Sequence, residues 1–425
     1  MLKGIKINLD LNNKQRTKLA KHAGTARHAY NKGLEYCNDL FKQKINTPSA
    51  IELHKWLVAD VKKEFPWYYE VSKCPPQQAL RNLKTAFENF HKLQSKSGYS
   101  LYHYKMIDGV KKPVGLKGLP NFKKKGDKDK FYLDGIIYIK DNKIKLPVIG
   151  YIKLSEDLKN KFDDVIIKNC VISRKADKWF VSFKYEVKPV FTEKKYNVVG
   201  VDLGISKLAT LSDGIIYENL RPYLNAKNEL RKLQKELSRR YNKKADNQSS
   251  NYKKTKLKIS KLHARITYVR LDCLHKLTTD LAKNYETVVI EDLKVSEMTK
   301  NSILAAAILD GGFFEFKRQL LYKKQLYGGK LIIANTYFAS SKLCSCCKNK
   351  NNDLKLSDRI YKCNACGNEM NRDLNASINL ENLEKLINMA GSLSVTAFGD
   401  ESPTSNMVQL VDELGIGHQM HYFIA

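Results

Sequence analysis

Residues 196–204 read YNVVGVDLG, a short apolar run that ends on an acid, Asp202, and then a glycine, Gly204. Two more short runs follow, LATL at 208–211 and IIYENL at 215–220, with the turn residues Ser212, Asp213 and Gly214 between them. Runs this short, punctuated by turn formers, read as a β-meander. Working downstream, residues 226–283 are strongly basic and helical in period, and are broken by the polar stretch DNQSSN at 246–251. They read as a helical hairpin, with Leu230, Leu233 and Leu237 on the first arm and Leu262, Ile266 and Val269 on the second. YETVVIEDL at 285–293 is then another buried strand. A helix near 310–327 follows, and KLIIA at 330–334 is a further strand.

The order β-β-β-α-β-α-β, opening on a meander, predicts an RNase H-like α/β domain rather than a doubly wound sheet. Three acids stand out in it. Asp202 ends the run VVGVD, Glu291 ends VVIE, and Asp373 lies in NRDLNASINL, in the first turn of a helix whose inward face includes Leu374 and Ile378. A single aspartate at a strand end is usually a turn former. Two acids ending neighbouring core strands, with a third on a helix just beyond a cysteine knuckle, form a different pattern. Adjacent carboxylates repel, so such a group is stable mainly with divalent cations between its members. Two Mg²⁺ ions about 4 Å apart can activate a water and stabilise the leaving oxygen of a phosphodiester. Asp292, next to Glu291, points to the opposite face if the strand continues.

Upstream of Asp373 the spacing Cys344-x2-Cys347-x15-Cys363-x2-Cys366 supplies two knuckles able to face one tetrahedral zinc ion. Four thiolates close the coordination sphere, so the ion holds the fold and does no chemistry. Cys346 is a fifth thiol in the cluster and leaves open whether it or Cys347 is the ligand. The other cysteines (Cys37, Cys74, Cys170 and Cys273) are scattered, as in a reducing compartment rather than a disulfide framework.

The N-terminal half has two textures. From Lys14 onward Leu19, Ala23, Ala26, Tyr30 and Leu34 recur at helical spacing, and QQALRNLKTAFENFHK places Leu80, Leu83, Phe87 and Phe90 on one side, after Pro75 and Pro76. A β-rich block follows the helices. IIYIKDNKIKLP is a hairpin turning at Asp141-Asn142, and NCVISRKADKWFVSFKYEV is a second, with Trp179, Val181, Phe183 and Tyr185 on one face. Short alternating strands with basic loops predict a small barrel or curled sheet. Strand 3–10 can join that sheet, which makes the helical block an insertion.

Seventy-five Lys and Arg against 44 Asp and Glu give a net charge of +31 over 425 residues. That balance excludes a typical metabolic enzyme and makes a polyanion the expected partner. Residues 386–425 hold no Lys or Arg and four acids, so residues 1–385 carry +35 and the tail lies outside the basic surface. No segment reads as a signal peptide or membrane span, so a cytoplasmic protein is expected.

VGVDLG, VIEDL and the cysteine ribbon leading into NRDLNAS resemble, in that order, the three RuvC-like motifs of TnpB, the family of transposon-associated RNA-guided nucleases. AGTARHAYNKGLE, PNFKKK, KLHARITYVRLDCLHKL and YFASSKLCSCC are similar to that family as well, so the resemblance spans residues 1 to about 385. It implies a multidomain α+β architecture. A barrel-like wedge domain (1–12 and 99–195) receives an inserted helical recognition domain (13–98). A RuvC-like nuclease domain (196–340 and 368–388) follows, interrupted by a zinc ribbon (341–367), and 389–425 form a poorly ordered tail.

The resemblance also implies that Asp202, Glu291 and Asp373 are the catalytic acids and hold two Mg²⁺ ions, for which Mn²⁺ can substitute. Cys344, Cys347, Cys363 and Cys366 would hold one structural Zn²⁺. The implied partners are a guide RNA from the transposon end and double-stranded target DNA beside a short adjacent motif, with a monomeric protein and no membrane. A miniature type V CRISPR effector, or a nuclease-inactive RNA-guided DNA-binding repressor, are the alternative readings; all three acids being present speaks against the repressor. In guided enzymes base pairing reads the target while protein cations hold the backbone. The expected cation donors are Lys18, Lys21 and Arg27, Lys123 to Lys125, and Arg239, Arg240, Lys243, Lys244, Lys253 and Lys254. Two positions depart from the family pattern: Asn371, where an acid is common, and Lys348, where glycine is usual.

Overall fold

The computed structural model describes residues 1–396, apart from 96–101, 108–109, 127–128, 159–161, 163–164, 166, 244, 246, 336–337 and 356. The chain divides into two compact units, Leu2–Val187 and Lys188 onward.

The first unit opens with strand β1 (Leu2–Asp10) and the long helix α1 (Asn13–Lys42). Asn12 and Gln15 form a reciprocal capping box that starts α1. The predicted stripe Leu19, Ala23, Ala26, Tyr30 and Leu34 is buried throughout. Helix α2 (Ala50–Trp56) runs through a π-helical segment, Leu57–Val61, into α3 (Lys62–Glu64), and a 3₁₀ turn, Pro66–Glu70, leads to α4 (Cys74–Gln94). Leu80, Leu83, Phe87 and Phe90 of α4 are buried, and a Cβ on Gly33 of α1 would lie 2.6 Å from Leu80, so these two helices touch closely.

After the hairpin β2 (Tyr102–Ile107) and β3 (Val110–Leu116) come β4 (Lys130–Lys140), β5 (Lys143–Leu146), β6 (Gly150–Leu154), β7 (Ile167–Lys175) and β8 (Lys178–Glu186). With β1 these last five close a barrel in the order β1-β6-β5-β4-β7-β8. Strand β1 does belong to it: residues Leu2 to Asn8 pair with β8, and Leu9 and Asp10 pair with β6. The hairpin turns lie where the sequence places them, with Asp141 (φ 49°), Asn142 (φ 57°) and Ala176 (φ 54°) in the left-handed region.

The second unit is built on a five-stranded sheet of order β11-β10-β9-β12-β13. Its meander is β9 (Tyr196–Leu203), β10 (Lys207–Leu211) and β11 (Ile216–Glu218). The basic hairpin follows as α5 (Pro222–Arg240) and α6 (Ser250–Asn284), which leads into β12 (Tyr285–Glu291). Helices α7 (Val295–Met298), α8 (Ala305–Gly311) and α9 (Phe313–Tyr327) precede β13 (Lys330–Ala334). β9, β12 and β13 are parallel, while β10 and β11 form the antiparallel meander beside them. A small hairpin, β14 (Ile360–Lys362) and β15 (Glu369–Asn371), ends at α10 (Arg372–Thr396).

Side chains alternate across the sheet. Val199, Val201, Val288, Ile290 and Leu331 share a core with α6 and α9, whereas Val198, Val289, Ile332 and Ala334 pack with Leu380, Leu383 and Ile387 of α10. Helix α10 differs from expectation in two ways. It continues to Thr396, past residue 389; residues 397–425 of the expected tail lie outside the described residues. Its buried side is also not Leu374 and Ile378, which stay partly exposed. Asn375, Ala376, Ser377, Asn379 and Leu380 are buried instead.

Candidate active site and metal centre

Parallel register puts the first two acids side by side. Val201 pairs with Ile290, so Asp202 and Glu291 are the next residues along adjacent strands. Alternation turns both toward α10, where Asp373 occupies the first turn. The sequence-predicted acids are thereby brought to one place, and each keeps part of its surface exposed. Burial, then the Glu291 and Asp373 carboxylates, push the Asp202 carboxyl well above the usual carboxylate range, with Arg372 pulling the other way. Burial likewise raises Glu291, opposed by a hydrogen bond from Ser340 and by Arg372. A group that cannot carry all its charges unaided fits divalent cations, and carboxylate oxygens are the donors Mg²⁺ prefers.

Ser340 and Arg372, which the sequence reading passes over, and Asn371, which it notes only as a departure, surround this cluster. The Ser340 hydroxyl donates to Oε1 of Glu291. Asn371, where the family commonly has an acid, accepts through Oδ1 from the backbone N–H groups of Asp373 (3.0 Å) and Leu374 (3.2 Å), and so caps α10. Arg372 donates through Nη1 to the carbonyls of Lys355 (3.1 Å) and Asp358 (3.4 Å). Asp292, one residue beyond the end of β12, pairs with Lys317 of α9 at 2.6 Å.

The four cysteines converge next to the same helix. The sulfurs of Cys344, Cys347, Cys363 and Cys366 all lie within 4.8 Å of one another, while exposed Cys346 is outside the set. Each knuckle makes the same turn: the Lys348 N–H donates to the Cys344 carbonyl and the Gly367 N–H to the Cys363 carbonyl, both at 3.0 Å. The equivalent positions Lys348 (φ 63°) and Gly367 (φ 72°) are both left-handed, which explains the usual glycine at the first. Here the lysine is tied down by donating to Ser345 O and Asn379 Oδ1. Burial opposes ionisation of Cys344, yet backbone N–H groups of Cys347 and Cys346 and the Cys366 thiol draw it down to about 6. Cys366 receives an N–H from Asn368, but the surrounding sulfurs push it up to about 12. Four thiols this close ionise together only around a cation, and an all-sulfur tetrad suits Zn²⁺.

Two buried asparagines join ribbon to helix. Asn375 donates to Leu343 O at 2.7 Å and accepts from Ser345 N at 2.9 Å, while Asn379 donates to Ser340 O and Leu343 O. The i, i+4 spacing of Asn371, Asn375 and Asn379 was their one sequence signal. The nominated cations divide. Lys21 pairs with Glu70 and Arg27 with Asp129, and Lys123 lies 3.4 Å from the centre of the Tyr30 ring, so each of these has a partner within the protein. On the helical hairpin Arg240 pairs with Glu236, whereas Arg239, Lys243, Lys253 and Lys254 are exposed; Lys244 lies outside the described residues. No described helix is long and apolar enough to cross a membrane.

A mixed α/β sheet with an acid cluster and a basic hairpin defines a nucleic-acid-handling protein, and sequence profiles give its class. The OrfB profile of IS605 elements, described as "Probable transposase", matches residues 182–302, and the profile "Cas12f1-like, TNB domain" matches 313–380. A profile described as "Helix-turn-helix domain" matches 1–46, which fold here as β1 and the single helix α1. Whole-chain relatives narrow the class to a family. Two chains bearing the name "Putative RNA-guided DNA endonuclease" are similar across most of the length. InsQ of Escherichia coli K12 is 30% identical over 89% of this chain and 91% of its own. The Streptomyces pristinaespiralis chain is 32% identical over 91% and 88%. The protein belongs to the TnpB (IS605 OrfB) family. Among solved structures, the Cas12f1–sgRNA–target DNA complex aligns over 87% of this chain and 83% of its own, at 15% identity and a TM-score of 0.48.

Proposed function

We propose that the protein is the RNA-guided DNA endonuclease of a transposable element, cutting target DNA next to a short motif. Residues 196–340 and 368–388 form its RuvC-like nuclease domain, 341–367 its zinc ribbon, 1–12 and 99–195 its wedge domain and 13–98 its recognition domain. One observation carries the reading: Asp202 and Glu291 end adjacent parallel strands on the face that α10 covers with Asp373. Asp202, Glu291 and Asp373 would hold Mg²⁺ there, which would supply water activation and neutralise charge on the leaving oxygen. The chain's own part is to hold the three carboxylates in register. Ser340 orients Glu291, and Asn371 fixes the backbone of Asp373. Zn²⁺ on Cys344, Cys347, Cys363 and Cys366 locks the loop that feeds α10. The cations of the α5–α6 hairpin hold nucleic-acid backbone.

The test is to purify the protein with its co-transcribed RNA and offer matched double-stranded DNA with a library of flanking motifs. Mg²⁺-dependent cutting that disappears in Asp202→Ala is the expected result. No cutting across the library, or full cutting by Asp202→Ala, overturns the reading. The Cas12f1-like match over 313–380 favours a second reading, a miniature type V CRISPR effector sharing this site. A CRISPR array beside the gene, in place of transposon ends, would select it.

A further inference from the structure

A groove of about 410 Å³ opens at the carboxyl end of β12, lined among others by Glu291, Asp292, Lys294, Phe313, Phe314 and Lys317. The two phenylalanines at the start of α9 have opposite fates. Phe313 is buried in the core at 3% exposure, while Phe314 stands 71% exposed. The turn before them is fixed by Gly312, whose φ of 69° is left-handed and where a Cβ would press on Leu274 and Arg270. Lys317 lies one turn beyond Phe314 on the same helix face, and its ammonium is held by Asp292, the residue after Glu291. A largely exposed aromatic ring thus shares with a lysine a groove that is also lined by Glu291, one of the three clustered acids.

Aromatic rings next to cations are what an unpaired strand needs. A base stacks on the ring, whichever base it is, and the phosphate turns to the charge. A groove of this volume can take a single nucleotide. We infer that Phe314 is the platform on which an unpaired base of the strand being cut stacks, next to the scissile phosphate. This rests on the endonuclease reading above. Phe314 acts as a positioning residue, since it bears no group that reacts.

The experiment uses the full chain with its guide RNA. Phe314→Ala and Phe314→Leu are compared with Phe314→Trp on a matched target whose bases are unpaired around the cut. Loss of one stacking contact raises KM roughly ten- to a hundred-fold, with kcat little changed and guide-RNA binding intact. Leu fails like Ala because it has bulk but no π-face, and Phe314→Trp keeps the wild-type KM. Separately, Phe314→Trp is placed in an Asp202→Ala background without divalent metal. The indole fluorescence that this substitution adds over the parent is then quenched by a DNA oligonucleotide. Quenching without any cutting by wild type upholds base stacking on Phe314 but overturns the nuclease reading and, with it, the placement beside a scissile phosphate; no quenching beside an active wild type overturns the platform. Normal KM in Phe314→Ala beside an active wild type overturns the platform. So does a shift in oligomeric state with Phe314→Ala, which makes the ring a protein contact.

Discussion

A Cβ built on Gly200 would fall 1.9 Å from the carbonyl oxygen of Ser377 and 2.5 Å from the backbone nitrogen of Glu381. Helix α10 therefore rests its backbone directly on β9, and the strand has no room for any side chain there. Gly200 and Asp202 share a face two residues apart, so this contact sets how closely Asp373 approaches Asp202. A methyl group cannot be absorbed by rotamer change when it meets backbone. Gly200→Ala should cost about 3 kcal/mol, seen as a fall in unfolding midpoint of roughly 6–12 °C. Cutting should fall further than stability alone explains, measured below the new midpoint. An Ala variant with normal activity and midpoint would show that α10 docks elsewhere in solution.

The sulfur geometry separates two adjacent cysteines that sequence spacing leaves interchangeable. Cys347 is in the tetrad and Cys346 is exposed outside it. Cys346→Ser should retain one zinc per chain by elemental analysis. Cys347→Ser should lose it and lower the unfolding midpoint, because three thiolates do not close the site. The reverse outcome would assign Cys346 as the ligand.

Much of this arrangement is legible in sequence because it is periodic or punctuated. YNVVGVDLG predicts a strand with an acid at its end, and β9 carries both; the Asp141-Asn142 turn and the α1 and α4 stripes read equally well. Asn375 and Asn379 escape the same rules. Amphipathic reading sends asparagine to solvent, yet here both are buried against carbonyls of the ribbon, partners that only the tertiary fold supplies. Lys21, Arg27 and Lys123 have protein partners that the sequence does not reveal. Composition cannot tell a cation that grips nucleic acid from one that meets Glu70, Asp129 or the Tyr30 ring.

Lys324 gives stability a pH dependence with a determinable sign. It is 2% exposed, and its ammonium donates to the carbonyls of Tyr285 and Glu286. Burial, then the nearby Lys194 charge, bring it from its ordinary 10.5 down to about 7, with Glu286 opposing. Between those values the unfolded chain holds a proton that the folded chain has released. Folding is therefore most penalised below that window, where the buried amine must carry its charge. The penalty persists while the unfolded chain stays protonated and fades only as pH rises toward 10.5, since the slope in stability follows the difference in bound protons. That difference makes the unfolded state the one with more protons, so stability falls as pH drops from above 10 toward 7 and levels off below. Urea unfolding of wild type and Lys324→Met should show wild type gaining on the variant from pH 7 upward. A difference that stays flat with pH would mean that the ammonium keeps its proton when buried.

Asp310 of α8 does for α5 what a local cap normally does. Arg221 precedes that helix in a left-handed conformation (φ 43°) without a side-chain cap. The Asp310 carboxylate accepts instead from the N–H groups of Tyr223 (2.9 Å) and Leu224 (3.2 Å), and receives Arg270 of α6 at 2.8 Å. One buried acid thus ties both arms of the basic hairpin to the helices beside the sheet. Asp310→Ala strands a guanidinium and two N–H groups together, at a cost of about 3 kcal/mol. Hydrogen exchange should then quicken at the start of α5 before it does in β9 or β12. If the hairpin positions nucleic acid, the variant should also lose guide-RNA affinity while binding its metals normally. Unchanged exchange at α5 would mean that the hairpin is held by apolar contacts such as Leu230 and Ile266 alone.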